Sequence, residues 1–132
     1  TCMIGILDPT NDQMICANAG QSYPISIADK TGDKMFVSLP STPLGISAET
    51  KFRQHRISLE NRSVILYSDG AVNLPDVNGD KLGHEAFLEI VCQSMKADQR
   101  NPAEEILKRL NAASMSVPWR DDITIMCIQN RI

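Results

Sequence analysis

The sequence predicts an α+β domain in which helices cover a mainly antiparallel sheet. Short apolar runs joined by turn residues fill the first half, two helical patterns follow, and a last strand-like run closes the chain. Strands that arrive as hairpins favour antiparallel pairing, because a short turn is enough to connect them. The chain has 132 residues, enough to bury one core, so we expect a single domain over 1–132.

Two hairpins are predicted first. Apolar runs over 2–7 and 13–17 flank a turn rich in Asp, Asn and Pro, and runs over 23–28 and 34–39 flank a second turn. Apolar and polar residues alternate imperfectly over 51–59, which predicts a half-exposed strand at a sheet edge.

The later strands carry acidic residues at their ends. A continuous apolar run over 63–68 predicts a strand that is buried on both faces, and it stops at Asp69. A last strand is expected over 123–128, directly after Asp121 and Asp122.

Between these strands the sequence predicts two helices. Apolar residues recur at spacings of three and four over 84–95, which is typical of a helix with one buried face. The second helix is expected to begin at Asn101, with Pro102 in its first turn and Glu104 completing a capping box. The predicted buried residues are Phe87, Leu88, Val91 and Met95 in the first helix, and Ile106, Leu107, Leu110 and Ala112 or Ala113 in the second.

Composition excludes several classes of function. The net charge of −3 argues against a nucleic acid or an anionic membrane as partner. No apolar run approaches the ~18 residues of a membrane helix. The four cysteines are far apart and form no C-x-x-C pair, so we expect free thiols in a reducing cytoplasm, without disulfides or zinc.

The two acidic strand ends are the candidate site. Hard divalent cations prefer carboxylate oxygens, and a rigid strand can hold Asp69 in place for one. Successive strand residues point to opposite faces, so only one of Asp121 and Asp122 can face a given site. Each feature has a simpler interpretation: Asp-Gly is a common turn dipeptide, and Asp-Asp can be a solvated turn before a strand.

Taken together, the motifs and their order resemble the PPM-type phosphatases. The closer similarity is to the bacterial branch with the sporulation stage II phosphatase and the RsbU-like stress-response phosphatases. Asp-Gly at 69–70, two helices and then Asp-Asp-Ile-Thr at 121–124 follow that family's order. The segments CANAG at 16–20, PLGI at 43–46 and KLG at 81–83 resemble its "ANAGH", "PLG" and "FG" segments.

The resemblance implies a sandwich of antiparallel sheets flanked by helices, here lacking its N-terminal part. It implies two Mn²⁺ or Mg²⁺ ions and attack of a metal-activated water on phosphoserine or phosphothreonine. By motif, Asp69 and Asp121 are the catalytic metal ligands, Gly70 supplies a further metal-binding position, and Asp122 supports the site.

The implied substrate is a phosphorylated STAS-type regulator (an anti-anti-sigma factor) in stress response and sigma-factor regulation. An N-terminal sensory or receiver domain is expected to supply the input. The alternative is a catalytically inactive phosphatase-like domain that binds a regulatory protein. The two differ in the residues upstream of Thr1, where an active enzyme would carry a Gly-Asp…Gly-His-Gly stretch.

Three departures from the family pattern matter. Gln21 stands where the branch commonly has histidine, and Asn73 where glutamate is common. The Gly-Asp and Gly-His-Gly motif that supplies another metal-binding aspartate has no counterpart here. We therefore expect that the missing half precedes Thr1 or lies in residues outside this chain, and that the segment alone is a weak metal binder. A partner chain such as a homodimer, a swapped arrangement or missing residues would cover the exposed edges.

The remaining candidates have ordinary interpretations. His55 is expected at the surface of its strand, and His84 at the turn or start of the first helix. Ser68 has no histidine base placed for it by motif, so it is not expected to be a nucleophile. Trp119 is expected to pack beneath the Asp-Asp loop, and Arg120 to be a solvated side chain.

Overall fold

A computed structural model describes four ranges of the chain: 1–76, 78–97, 100–114 and 117–129. Within these ranges the secondary structure comprises seven strands and three helices. The strands are β1 (Cys2–Asp8), β2 (Gln13–Ala19), β3 (Ile25–Ala28), β4 (Lys34–Phe36), β5 (Gln54–Ser58), β6 (Arg62–Tyr67) and β7 (Ile125–Gln129). The helices are α1 (Gly70–Asn73), α2 (Gly83–Ala97) and α3 (Pro102–Ala113). The predicted α+β fold is confirmed, with antiparallel hairpins and helices in the expected order.

The chain divides into two compact units. The first contains Thr1–Val64 and the chain from Ile128 onward, and the second contains Ile65–Cys127. Strands β6 and β7 each contribute residues to both units.

The first unit contains a three-stranded antiparallel sheet in the order β1-β2-β5. Met14 of β2 pairs with Leu7 on one side and with Ile57 on the other, and Met14 and Ile57 are buried. Strand β5 lies at an edge of this sheet and only Ile57 in it is fully buried. The prediction of a half-exposed edge strand is therefore confirmed.

The second sheet has the order β4-β3-β6-β7, and β3 pairs antiparallel with β4. The turn between β3 and β4 places Gly32 at φ 71°, a conformation that glycine adopts without steric cost. Both strands are shorter than predicted. One reason is Pro24, which has no N–H for a ladder hydrogen bond, although its carbonyl still accepts the N–H of Val37 at 2.7 Å.

The CANAG and PLGI segments meet in the first unit. The buried Asn18 side chain donates to the carbonyls of Gln21 (3.0 Å) and Leu39 (2.8 Å), and it accepts the N–H of Gln21 at 2.9 Å. Gly20 has φ 74°, and a side chain there would collide with Pro43. This turn therefore holds the backbone together: Gln21 contributes its main chain to the turn, and its side-chain oxygen accepts the Thr1 hydroxyl at 2.7 Å.

In the second unit α2 and α3 pack against each other. Phe87 and Val91 of α2 and Ile106 and Leu110 of α3 are fully buried, as the spacing predicts. Five other residues predicted for the buried faces are less enclosed: Leu88, Met95, Leu107 and Ala113 are half-buried and Ala112 is exposed.

The start of α3 differs from the predicted capping box. Asn101 is the N-cap residue, but its side chain makes no capping hydrogen bond to the helix. Its amide instead donates to the Glu104 carboxylate at 2.6 Å. The helix begins where predicted because Pro102 has the right φ for the first turn and gives up no helical hydrogen bond there.

Candidate functional site

Asp69 lies just past the end of β6, in the part of the chain that belongs to the second unit. Ile65 and Tyr67 of this strand are buried, and the Tyr67 ring packs on Phe87 with ring centroids 4.6 Å apart. Past the strand the chain turns at once into α1, where the carbonyl of Asp69 accepts the N–H of Asn73 at 2.9 Å. The Asp69 side chain is exposed. A rigid strand and a helical turn thus hold a solvent-accessible carboxylate.

Three hydrogen bonds join the end of β6 to the acidic segment before β7. The backbone N–H of Ser68 donates to the carbonyl of Thr124 at 3.1 Å. The Ser68 hydroxyl accepts the N–H of Thr124 at 2.9 Å and donates to the carbonyl of Asp122 at 3.0 Å. Two segments more than fifty residues apart in the chain are therefore in direct contact, with an aspartate from each beside the junction.

Gly70 permits this close approach. A methyl group at Gly70 would overlap the carbonyl oxygen of Asp122, and it would lie 3.1 Å from the carbonyl carbon of Asp122 and 3.3 Å from Cγ1 of Ile123. Because α1 begins at Gly70, the helical turn lies directly against the Asp-Asp backbone. Only glycine fits at this position without displacing one of the two segments.

Local hydrogen bonds orient the two candidate carboxylates. Oδ1 of Asp121 accepts the backbone N–H of Asp122 at 2.8 Å, and Oδ2 of Asp69 accepts a longer bond of 3.4 Å from the Asn73 amide. The Asp121 and Asp122 side chains are exposed, like that of Asp69. The Asn73 contact gives the departure at that position a physical role, since an amide donates to a carboxylate where a glutamate would repel it.

The donor chemistry suits a hard divalent cation, but the donor number is small. Carboxylate oxygens are the ligands that Mn²⁺ and Mg²⁺ prefer. In the part of the chain that the structure describes, no group of three or more His, Cys, Asp or Glu side chains is placed to hold a metal ion. The residues thus fit such an ion in kind, and they supply only part of a coordination shell.

The sequence also singled out four other kinds of side chain: two histidines, a serine, a tryptophan and an arginine. His55 is half-buried on β5 in the first unit, and His84 is exposed near the start of α2. The Ser68 hydroxyl bridges the two segments through its hydrogen bonds to Asp122 and Thr124. Trp119, which was expected to pack beneath the acidic loop, is 40 % exposed, and Arg120 is exposed as expected.

Sequence reasoning missed the bridging role of Ser68 and the contact of Asn73 with Asp69. The only local signal for Ser68 was a polar residue at the end of an apolar run, next to an acidic residue. That signal does not name a partner fifty-four residues away. Sequence reasoning also missed the close approach of the Gly70 backbone to the carbonyl of Asp122.

No helix in the described ranges is both long and apolar enough to cross a membrane. In the described ranges the four cysteines form no disulfide with one another.

Solved structures with this fold come from several bacteria. The SiaA-PP2C domain of Pseudomonas aeruginosa has a TM-score of 0.76 and 18% identity, over 92% of this chain and 48% of that one. A structure of the RsbU and RsbW domains of a Mycobacterium tuberculosis protein has a TM-score of 0.69 and 24% identity, over 98% and 35%. The manganese-presoaked phosphatase domain of SpoIIE from Bacillus subtilis has a TM-score of 0.67 and 16% identity, over 97% and 55%.

These similarities establish the fold, and the chain spans only 35% to 55% of the length of those three chains. A comparison with curated proteins found no match. The family model described as stage II sporulation protein E (SpoIIE) matches residues 1–131. Because this match covers almost the whole chain, the chain belongs to the SpoIIE family, and it has the fold of a SpoIIE/RsbU-like PPM-type phosphatase domain.

Proposed function

We propose that this chain provides part of the active site of a metal-dependent phosphatase that hydrolyses phosphoserine or phosphothreonine on a regulatory protein. The observation that supports the proposal is the junction of the Ser68–Gly70 turn with the Asp-Asp segment. It joins the two acidic segments within one compact unit. If the motifs had lain on opposite sides of that unit, the proposal would have no basis.

Each residue has an assigned role in the proposed site. Asp69 and Asp121 hold divalent ions through carboxylate oxygens, Gly70 adds its carbonyl, and Asp122 supports the segment from which Asp121 extends. Two Mn²⁺ or Mg²⁺ ions, when bound, neutralise charge on the phosphoryl group and lower the pKa of water. The hydrogen bond from the Asp122 N–H leaves Asp121 oriented before any ion arrives. The remaining ligands come from elsewhere in the whole protein.

The proposed substrate is a phosphorylated STAS-type regulator in a cytoplasmic stress-response pathway that controls a sigma factor. Family membership supports this substrate class. An N-terminal sensory or receiver domain would control the activity. The Bacillus subtilis SpoIIE phosphatase domain has been solved together with a fragment of its regulatory domain, which makes such an arrangement reasonable here.

A second candidate is an inactive phosphatase-like domain that binds a regulatory protein. The small number of carboxylates favours it, because in the described ranges no group of three or more His, Cys, Asp or Glu side chains is placed to hold a metal ion. Such a domain would keep the junction and the surface of the enzyme while holding metal weakly or not at all.

The test is a phosphatase assay on the whole protein with a phosphorylated STAS-type protein as substrate. We expect Mn²⁺-dependent release of phosphate that EDTA abolishes. Asp69→Asn and Asp121→Asn should each lower the rate by roughly 100-fold or more, because a lost ligand costs at least as much as a lost supporting residue. Asp80→Asn changes an exposed acid of the same unit and serves as the matched control.

The outcomes separate the two candidates. Turnover that survives both ligand substitutions would show that these aspartates are not the ligands. Binding of the phosphorylated or unphosphorylated regulator without turnover, at any Mn²⁺ concentration, would support the inactive binding module instead.

A further inference from the structure

We infer that Ser68 is a positioning residue: its hydroxyl holds the Asp121–Asp122 segment against the Asp69–Gly70 turn and thereby sets the affinity of the site for divalent metal. The inference rests on the proposed function, because it assumes that Asp69 and Asp121 hold metal. It adds a residue that the motif comparison did not place in the site.

The hydroxyl of Ser68 uses both of its hydrogen-bonding capacities at the junction. It donates to the carbonyl of Asp122 at 3.0 Å and accepts the N–H of Thr124 at 2.9 Å. These two partners lie on either side of Ile123, and the first of them directly follows Asp121. A single side chain next to Asp69 therefore holds the backbone next to Asp121.

The acidic segment has little regular structure of its own. Residues 117–124 lie outside any helix or strand, and β7 begins only at Ile125. Ser68, which directly follows β6, bonds to this segment three times: its hydroxyl bonds to Asp122 and Thr124, and its backbone N–H donates to the carbonyl of Thr124. Without the hydroxyl, Asp122 would keep the contact with Gly70 but lose its hydrogen bond to the strand end.

The arrangement also explains why Ser68 does not act as a nucleophile. Its proton is directed at the Asp122 carbonyl, and no side-chain base accepts it in the described ranges. Because Ser68 is half-buried and Thr124 is exposed, water can replace part of the lost bonding. Loss of the hydroxyl should therefore loosen Asp121 more than it unfolds the protein.

The experiment measures Mn²⁺ binding to the whole protein by electron paramagnetic resonance, with no substrate present. Ser68→Ala should raise the Kd for Mn²⁺ by roughly 10-fold to 100-fold, the usual effect of removing a group that orients a ligand. Ser68→Thr retains the hydroxyl and should bind Mn²⁺ within about threefold of the unaltered protein. The thermal midpoint without metal is recorded for each variant.

Ser94→Ala is the matched control. It removes a hydroxyl of the same unit that donates to the carbonyl of Ile90 at 2.8 Å within α2. A general loss of stability would weaken metal binding in both alanine variants, whereas the positioning role predicts an altered Kd in Ser68→Ala alone. If Ser68→Ala does not fold, Ser68→Cys takes its place, since a thiol of similar size is only a weak donor.

The results distinguish this inference from the proposed function. If the unaltered protein binds Mn²⁺ through Asp69 and Asp121 but Ser68→Ala or Ser68→Cys binds it equally well, the positioning role is overturned and the phosphatase proposal stands. If the unaltered protein binds no Mn²⁺, or binds it equally in Asp69→Asn and Asp121→Asn, both are overturned.

Discussion

The absence of a side chain at Gly70 lets two acidic segments of the SpoIIE-family chain come together. The carbonyl of Asp122 occupies the space that a β-carbon would need. Relief of this overlap would require movement of backbone on one side or the other, because neither segment presents a flexible side-chain end there. Glycine is thus required at position 70 because two main chains are in contact there. Its backbone conformation does not require glycine, since Gly70 is helical.

We therefore expect Gly70→Ala to destabilise the protein by about 1–3 kcal/mol and to weaken Mn²⁺ binding. The measurements are urea unfolding and a thermal-shift titration with Mn²⁺. Gly5→Ala is the control, because the nearest atom to a new methyl group there is the flexible Met14 sulfur at 3.1 Å, which can move. Equal effects of the two substitutions would mean that the Gly70 contact has no special importance.

The neighbouring strands β6 and β7 each carry an ionisable side chain whose burial favours the neutral form. Burial raises the pKa of the Tyr67 phenol from 10.0 to about 12, and it raises the pKa of the Cys127 thiol from 9.0 to about 11. In the unfolded chain both groups lose their protons at lower pH than in the folded one. The unfolded state then binds fewer protons, so the free energy of unfolding falls as the pH rises.

We therefore expect the free energy of unfolding to fall between about pH 9 and pH 12. The contribution of Cys127 is complete below pH 9 and is lost as the pH rises towards 11, and that of Tyr67 is lost between 10 and 12. Urea unfolding at pH 8, 9.5, 10.5 and 11.5 measures the decline. Cys127→Ala should reduce the decline between 9 and 11, to which the buried Cys16 also contributes, and Tyr67→Phe should reduce the decline between 10 and 12. A pH dependence that is the same in both variants and in the unaltered protein would contradict this.

Prediction of the elements themselves succeeded where a local signal existed. The period of apolar residues identified α2 and α3, and turn residues identified both hairpins. The predicted ends of strands were less accurate where a hydrogen bond to a distant residue decides where the strand begins. Strand β7 begins at Ile125 and not at 123, because the N–H of Thr124 bonds to the Ser68 hydroxyl. The helical turn α1 was missed, since four residues give no measurable period.

The apolar outer face of β1 affects the behaviour of the whole chain. Ile4 and Ile6 are 67% and 65% exposed, and they pair with Ala17 and Ile15, which share their face of the sheet. Contiguous exposed apolar side chains on an edge strand favour association with another surface. This face of β1 is the kind of surface for which the sequence predicted a cover.

We expect the 132-residue chain to self-associate at micromolar concentration, and the double variant Ile4→Thr with Ile6→Thr to be more monomeric. Threonine retains the β-branched shape that suits a strand while removing apolar surface. Size-exclusion chromatography with light scattering measures the mass. Ile46→Thr removes a similarly exposed isoleucine, at 69%, from an irregular segment and should change little. A monodisperse monomer of the unaltered chain would refute the prediction.

The sequence by itself determined the order of strands and helices and the family resemblance, because period, turn residues and short motifs are local properties. Only the tertiary structure decided that Asp69 and Asp121 extend from segments in direct contact, and that Ser68 and Gly70 make this contact. Those relations join residues more than fifty positions apart. They depend on which backbone groups are still available for hydrogen bonds once the strands have paired. A local pattern of residues does not predict which groups these are.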